Sequence, residues 1–296
     1  FLWQEGHTAH ATREEAMEET LKMLEVYRRI MTDILALPVI PGEKTEGERF
    51  PGAANTYTCE TMMSDKKALQ AGTSHFLGQN FAKAFEIQFQ NQDGNLEYAW
   101  TTSWGASTRL IGALIMTHSD DDGLILPPRV APVKVAILPI STDDEMIAST
   151  LLPKAAEISA QLDSRLGGRF TVVDKQFHLR PGDRFFSHLQ RGVPLRIELG
   201  EKDLASGTAR VVRRDTGAKV DIPLDALAER IPQLLEEIHT ALYEKALAFR
   251  KENTRFVSGY EEFKSAIEEQ GGFVETFFAG LAGVCPRGAA GGIGQR

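Results

Sequence analysis

The chain has 296 residues, with 33 Lys and Arg against 41 Asp and Glu for a formal net charge of −8. That balance excludes a nonspecific, whole-surface nucleic-acid binder but leaves room for a local basic face. No stretch reaches the ~18–20 apolar residues of a membrane span, nothing early in the chain has the basic start and apolar run of a signal peptide, and the two cysteines, Cys59 and Cys285, are too few for a disulfide framework or a metal site, so a reducing cytoplasm is expected.

In chain order, the alternation at the start sets Phe1, Trp3, Glu5 and His7 on one face of a strand. Two aromatics beside a carboxylate and an imidazole make either a core strand with a satisfied polar pair or one wall of a site. Thr12 followed by Glu15 is a capping box. Behind it Met17, Leu21, Leu24, Ile30, Ile34 and Leu35 repeat at helical spacing, and Pro38 ends the helix near Leu37. Residues 39–40 and 56–58 read as short strands around a polar connection at 42–52. Gln70, Thr73 and Ser74 are compact hydrogen-bonding groups in what is either a plain turn or a binding loop, with Gly72 able to let a ligand approach the backbone. His75 is suited to orienting a carboxylate or a carbonyl. Residues 85–89 and 98–102 alternate on either side of Asp93-Gly94, a hairpin signal. The run 110–116 is nearly all apolar and predicts a buried helix headed by Arg109. Helix N-termini attract anions, and an Arg in that place needs a protein carboxylate or a ligand phosphate as partner, the phosphate matching its fork better. This region is α+β, antiparallel sheet with helices packed on it and no dinucleotide-binding βαβ unit.

Three prolines in 126–132 mark a linker. After it strands at 133–140, 170–173, 195–199, 208–213 and 219–222 interleave with helices at 143–166 and 184–191, and a long helix follows over 224–251: a small α/β domain. Residues 259–271 read as another amphipathic helix. The Gly/Ala-rich end, 279–296, has no periodicity and reads as disordered.

Taken together, three segments carry a specific resemblance: Phe1-Leu2-Trp3-Gln4-Glu5-Gly6-His7, then Gly72-Thr73-Ser74-His75-Phe76-Leu77-Gly78-Gln79-Asn80-Phe81, then the stretch from Ser103-Trp104-Gly105 to Pro127-Pro128-Arg129-Val130. They resemble prolyl-tRNA synthetases, and the similarity runs from residue 1 to about 260. Residues 1–10 are similar to the end of motif 2 of the class II synthetases, and 103–128 to motif 3, whose arginine holds ATP. The resemblance implies an incomplete class II catalytic core over 1–130, an α/β anticodon-binding domain over 131–236, and a C-terminal helix with a degenerate or truncated module over 237–296.

It further implies a proline pocket lined by Phe1, Trp3, Glu5, His7 and His75, and contacts to ATP or the adenylate from Gln70, Thr73, Ser107 and Arg109, with Arg109 as the catalytic arginine. The expected reaction is proline–tRNA ligation: proline's carboxylate attacks the α-phosphate of ATP, and the prolyl group then passes to tRNA(Pro). It would run with Mg²⁺, by positioning and charge stabilisation. Glu198, Lys202 and Asp203 are expected to read anticodon bases on their edges, with Arg210, Arg213 and Arg214 adding positive charge, each alternatively part of an ordinary solvated strand. A cytoplasmic homodimer without membrane attachment is implied. No space exists between Gly6 and Trp104 for the inserted editing domain, so the branch lacking it is expected, and the late Cys285 does not support the zinc site of related C-terminal modules. Motif 1 and the motif 2 arginine are expected upstream of Phe1, so that one wall of the proline pocket is retained and this polypeptide alone is inactive. The competing reading is a non-catalytic tRNA-binding paralogue or an inactive fragment. The intact set Glu5, His7, Gln70, Thr73, His75 and Arg109 argues against it, since a binding module has no use for them.

Overall fold

The computed structural model describes residues 2–277 and 292–294; Phe1 and most of the Gly/Ala-rich end, Cys285 included, lie outside the described residues. The chain divides into two compact units, one made of 1–33, 37–117 and 246–296, the other of 34–36 and 118–245.

The first unit is built on a five-stranded antiparallel sheet. Its strands are β1 (Trp3–His10), β2 (Val39–Glu43), β3 (Asn55–Met62), β4 (Ala68–Gly78) and, after the short helix α2 (Asn80–Ala84) and the hairpin of β5 (Gln88–Gln90) and β6 (Leu96–Tyr98), β7 (Trp100–Ser107). Their spatial order is β1-β7-β4-β3-β2. The helix α1 (Arg13–Arg29) opens on the expected Thr12/Glu15 capping box and covers one face of this sheet. Ser74 Oγ donates to the Thr20 carbonyl, and the Tyr27 hydroxyl donates to Gln4 Oε1. A Cβ on Gly72 would lie 3.0 Å from Met31 Cε and 3.2 Å from Tyr27 Cδ2. Gly72 therefore admits α1 to the sheet on one face, while on the other its backbone lines the cleft described below.

Other expectations need revision here. The buried seam of α1 is Ala16, Thr20, Leu24 and Tyr27, continued by Met31 in the π-helical turn Ile30–Ile34 that follows it, while Leu21, Ile30 and Ile34 are exposed. Hydrophobicity alone passed over Ala16 and over Thr20, whose hydroxyl is satisfied by the Ala16 carbonyl four residues back. Residues 68–78 form a central strand, not a turn, and only 88–89 of the expected strand 85–89 is extended, as the start of β5. The apolar run of α3 (Arg109–His118) buries Ala113, Leu114 and His118 but exposes Ile111, Ile115 and Met116. An all-apolar stretch cannot reveal from its own sequence which face stays uncovered.

At its far end the unit carries a small sheet. β13 (Thr254–Val257) pairs in parallel with β14 (Phe273–Thr276), across α9 (Tyr260–Gln270), whose Phe263 and Ile267 pack on Val257 and Val274. Gly292–Gly294 pairs with β14 as β15, so this part of the end is a strand and not the disordered segment expected.

The second unit is a mixed sheet ordered β12-β11-β10-β8-β9, formed by β8 (Val135–Ile140), β9 (Thr171–Val173), β10 (Leu195–Gly200), β11 (Thr208–Arg213) and β12 (Lys219–Pro223). β8, β9 and β10 run parallel, while β11 is antiparallel to β10 and β12 to β11. The helical segment α4 (Asp144–Met146) to α5 (Leu152–Leu166) and the first part of α8 (Leu227–Glu252) supply Ile158, Leu162, Ile231, Leu235 and Ile238 to a core against Ile137, Leu195, Ile197 and Val211. On the other face α6 (Pro181–Gln190) lays Phe185 against Ala136, Leu138 and Val193. A short helix α7 (Glu201–Ser206), unforeseen in the sequence, follows β10.

His118, only 4% exposed, has Nε2 3.0 Å from the Leu35 carbonyl. Burial pushes its pKa down from 6.5 to about 4. Between those values the unfolded chain binds a proton that the folded chain refuses, so stability falls as pH drops from 6.5 towards 4 and is full above 6.5. Urea unfolding is expected to find the protein about 2 kcal/mol less stable at pH 5 than at pH 7 through this group. His118→Gln, which keeps a donor for Leu35 and cannot titrate, should flatten that slope; an unchanged slope would remove His118 as its source.

Candidate functional site

The sheet face turned away from α1 opens into a cleft of about 850 Å³ lined by strands β1, β4 and β7 together with Phe50, Phe81 and Phe85. Cross-strand register builds it. Glu5 lies opposite Gly105, which lies opposite Thr73; His7 lies opposite Ser103, which lies opposite His75. Directly opposed residues share a face, so Glu5, His7, Thr73 and His75 are brought to one surface from segments about 70 residues apart. Ser74, the next residue, points the other way and is buried under α1.

Gln70 should by simple alternation follow Gly72 and Ser74 to the helix side. It does not, because the β3–β4 register shifts: Cys59 pairs with Gly72, but Glu60 pairs with Gln70. The extra residue, Ala71, is a bulge of the kind that re-aims a side chain, and Gln70 lines the cleft with Thr73 and His75.

At one end of the cleft His7 stands exposed, its Nε2 3.8 Å from Glu5 Oε2; Glu5 is level with Thr73, and the exposed Trp3 lies towards the other end, opposite Ser107. His75 is held more firmly: its Nδ1 is 3.0 Å from Thr56 Oγ1, and the Phe50 ring lies 4.8 Å from it, centroid to centroid. Burial, then the positive charge of Lys44, push its pKa down to about 4. The imidazole is thus neutral at pH 7, suited to lie beside a cationic ligand without repelling it. Phe50 and Phe81 were not foreseen. Phe50 comes from the polar connection 42–52, where nothing in the sequence marks it as a wall of the cleft.

At the other end Arg109 begins α3. Its Nη1 donates to the Gln70 carbonyl at 3.3 Å, and its backbone N–H donates to Ser107 Oγ at 3.2 Å. Among the described residues Arg109 forms no ion pair with a carboxylate, which leaves the anion-binding alternative for this guanidinium. The Ser107 hydroxyl is engaged at the head of the helix. Lys44 Nζ donates to Gln70 Oε1, so the Gln70 and Arg109 segments form one polar cluster. The structure therefore brings together Trp3, Glu5, His7, Gln70, Thr73, His75, Ser107 and Arg109.

In the second unit Glu198, Lys202 and Asp203 line a shallow cavity of about 360 Å³ with Ser141, Thr142 and Arg210, beyond the ends of the parallel strands β8 and β10. Two of the three have structural partners. Glu198 Oε1 accepts from Arg196 at 2.8 Å, and Asp203 Oδ2 accepts from the Gly200 N–H at 2.8 Å, capping α7. The arginines expected to add positive charge are neutralised. Arg210 pairs with Asp221, Arg213 with Asp215 and Arg214 with Asp120, so the sheet face of this unit is balanced rather than basic.

Comparison with known proteins agrees with both halves. Residues 134–234 match the family model described as the anticodon binding domain. The chain is 49% identical over 282 residues to a proline–tRNA ligase of Porphyromonas gingivalis, covering 95% of this chain and 56% of that protein. To the proline–tRNA ligase of Prosthecochloris aestuarii it is 53% identical over 269 residues, 90% of this chain and 55% of the relative. The structure superposes on the Cryptosporidium parvum prolyl-tRNA synthetase, determined with L-proline and AMP, with a TM-score of 0.88 and 40% identity, covering 94% of this chain and 59% of that one. The chain thus spans just over half the length of the curated relatives it matches. With an antiparallel sheet flanked by helices, an anticodon binding domain and about half of its residues shared with such enzymes, the chain belongs to the prolyl-tRNA synthetase family, of the class II fold.

Proposed function

We propose that the chain serves proline–tRNA ligation, the ATP-dependent activation of L-proline to prolyl-adenylate and its transfer to tRNA(Pro). The observation that carries the reading is the cleft in which His7 and His75 stand at one end, Glu5 and Thr73 share the middle row, and Gln70 and Arg109 stand at the other end. The Glu5 carboxylate suits the cyclic ammonium of proline, with Trp3 and the neutral His75 offering faces to its ring. A carboxylate oxygen of proline then attacks the α-phosphorus and pyrophosphate leaves. Arg109 stabilises charge on the phosphate, and Gln70, Thr73 and Ser107 orient the nucleotide. The 3′-terminal hydroxyl of tRNA displaces AMP in the second step. Glu198, Lys202 and Asp203 would face anticodon bases from the second unit, with exposed Lys202 free of the structural bonds that hold its two neighbours.

Among the described residues no three His, Cys, Asp or Glu side chains converge as a metal site. Mg²⁺ accordingly enters the proposal only as an ion carried on the phosphates of ATP. A homodimeric assembly and a cytoplasmic location come with the reading on family resemblance. Among the described residues no helix is long and apolar enough to cross a membrane.

Calorimetric titration with a non-hydrolysable prolyl-adenylate, 5′-O-[N-(L-prolyl)sulfamoyl]adenosine, tests it. The prolyl compound should bind and its leucyl counterpart should not; equal binding of the two would sink the assignment. Arg109→Ala should weaken the prolyl compound about tenfold to a hundredfold, the size of a lost charge-assisted hydrogen bond.

A further inference from the structure

Beside the cleft a lysine, a buried carboxyl and an amide face one another across three strands. Lys44 follows β2, and its backbone N–H donates to the Thr56 carbonyl, extending the β2–β3 pairing by one residue. Glu60 on β3 is directly opposite Gln70 on β4 at the bulge. Glu60 is 8% exposed, and among the described residues its Oε2 has no hydrogen-bond partner. Burial pushes its carboxyl pKa up, and the charge of Lys44 acts in the other direction. The Lys44 ammonium is thus attracted to Glu60 while it donates to Gln70 Oε1.

An amide can present either its oxygen or its NH₂ to a ligand. With Oε1 taken by an ammonium that only donates, the Gln70 NH₂ is the end left for the cleft. The Gln70 main-chain oxygen is taken too, by Arg109. We propose that Lys44 is a positioning residue for the nucleotide end of the cleft: it locks the Gln70 amide so that Gln70 offers hydrogen-bond donors to the oxygens of the adenylate. This rests on the adenylate reading given above. Lys44 does not itself line the cleft, so it acts through Gln70. The bulge at Ala71 is what lets Gln70 reach the ammonium.

The test is calorimetric titration of the whole chain and its variants with the prolyl-sulfamoyl adenosine and, separately, with L-proline. Lys44→Met should weaken the adenosine compound about tenfold and leave L-proline unchanged, because proline does not reach Gln70. Lys44→Arg, which can still donate to Oε1, should restore most of the loss. Gln70→Glu keeps a partner for Lys44 while removing the NH₂ donors, and should show the same tenfold loss even if Lys44→Met folds poorly. The double variant Lys44→Met/Gln70→Glu should be no worse than the worse single one, since both remove one interaction. Unchanged affinity in Gln70→Glu, or equal losses for the adenosine compound and L-proline in Lys44→Met, would overturn the proposal while leaving the site reading intact. Failure of the unaltered chain to bind the adenosine compound would overturn both.

Discussion

Asp174→Ala is expected to destabilise the second unit by about 3–5 kcal/mol, the usual cost of leaving buried charged partners uncompensated. Asp174 is 3% exposed and holds two other buried groups: Arg184 Nε donates to Oδ1 at 2.8 Å, and His188 Nε2 lies 2.7 Å from Oδ2. Arg184 also donates to the Pro139 carbonyl at 3.1 Å and to the main-chain oxygen of Asp174 at 3.2 Å. The group thereby ties α6 to the ends of β8 and β9. Burial opposes ionisation of Asp174, but the Gln176 N–H, His188 and Arg184 outweigh it and hold the carboxyl below the usual range. Alanine leaves Arg184 buried without its counter-ion and His188 without its hydrogen-bond partner. The amide introduced by Asp174→Asn keeps the shape and part of the hydrogen bonding, so that variant should cost less. Denaturant unfolding of both variants decides the matter; a loss below about 1 kcal/mol for Asp174→Ala would mean that water enters and solvates Arg184.

Gly6→Ala is expected to abolish tight binding in the cleft, weakening the prolyl-sulfamoyl adenosine by about a hundredfold or more, with a stability loss of about 1–3 kcal/mol from overpacking. Gly6 and Trp104 are opposite each other on β1 and β7, and a Cβ on Gly6 would lie 2.2 Å from the Trp104 Cε2 atom. A single methyl cannot share that space with an indole. Either the ring swings away or β1 lifts from β7, and Gly6 sits between Glu5 and His7, two cleft residues of that strand. A displacement of about 1 Å is enough for a hundredfold penalty where positioning carries the chemistry. The readout is the same titration, paired with unfolding to separate the two effects. Undiminished binding in Gly6→Ala would show that β1 absorbs the methyl without moving Glu5. In a Trp104→Ala background, Gly6→Ala should cost little further stability, since the clashing ring is gone.

Much of the architecture could be read in advance, for identifiable reasons. The Thr12/Glu15 cap, the Asp93-Gly94 turn and the strand–helix alternation after residue 133 are local signals, and local signals survive folding. What failed depended on neighbours. The seam of α1 runs through Ala16 and Thr20, which packing against the sheet buries completely, and α3 leaves Ile111 and Ile115 uncovered although its sequence is nearly all apolar. Arg210, Arg213 and Arg214 looked like a basic patch because their acidic partners, Asp221, Asp215 and Asp120, carry no mark in the sequence that would pair them.

The chemistry of the cleft was already present in the residue types: a carboxylate, imidazoles, an amide, a threonine and an arginine that, among the described residues, forms no ion pair with a carboxylate. Those types belong to short motifs whose composition persists without reference to the fold, and they were enough to place the chain in its family. Whether each side chain reaches the cleft was a tertiary matter. Strand register put Glu5 in line with Thr73, and His7 in line with His75. Ser74 was sent to the helix, and one bulge returned Gln70 to the opposite face. A strand has a period of two, so a single inserted residue reverses every side chain beyond it. That reversal is set by hydrogen bonding to the neighbouring strand, which is why residue identity alone could name Gln70 but not aim it.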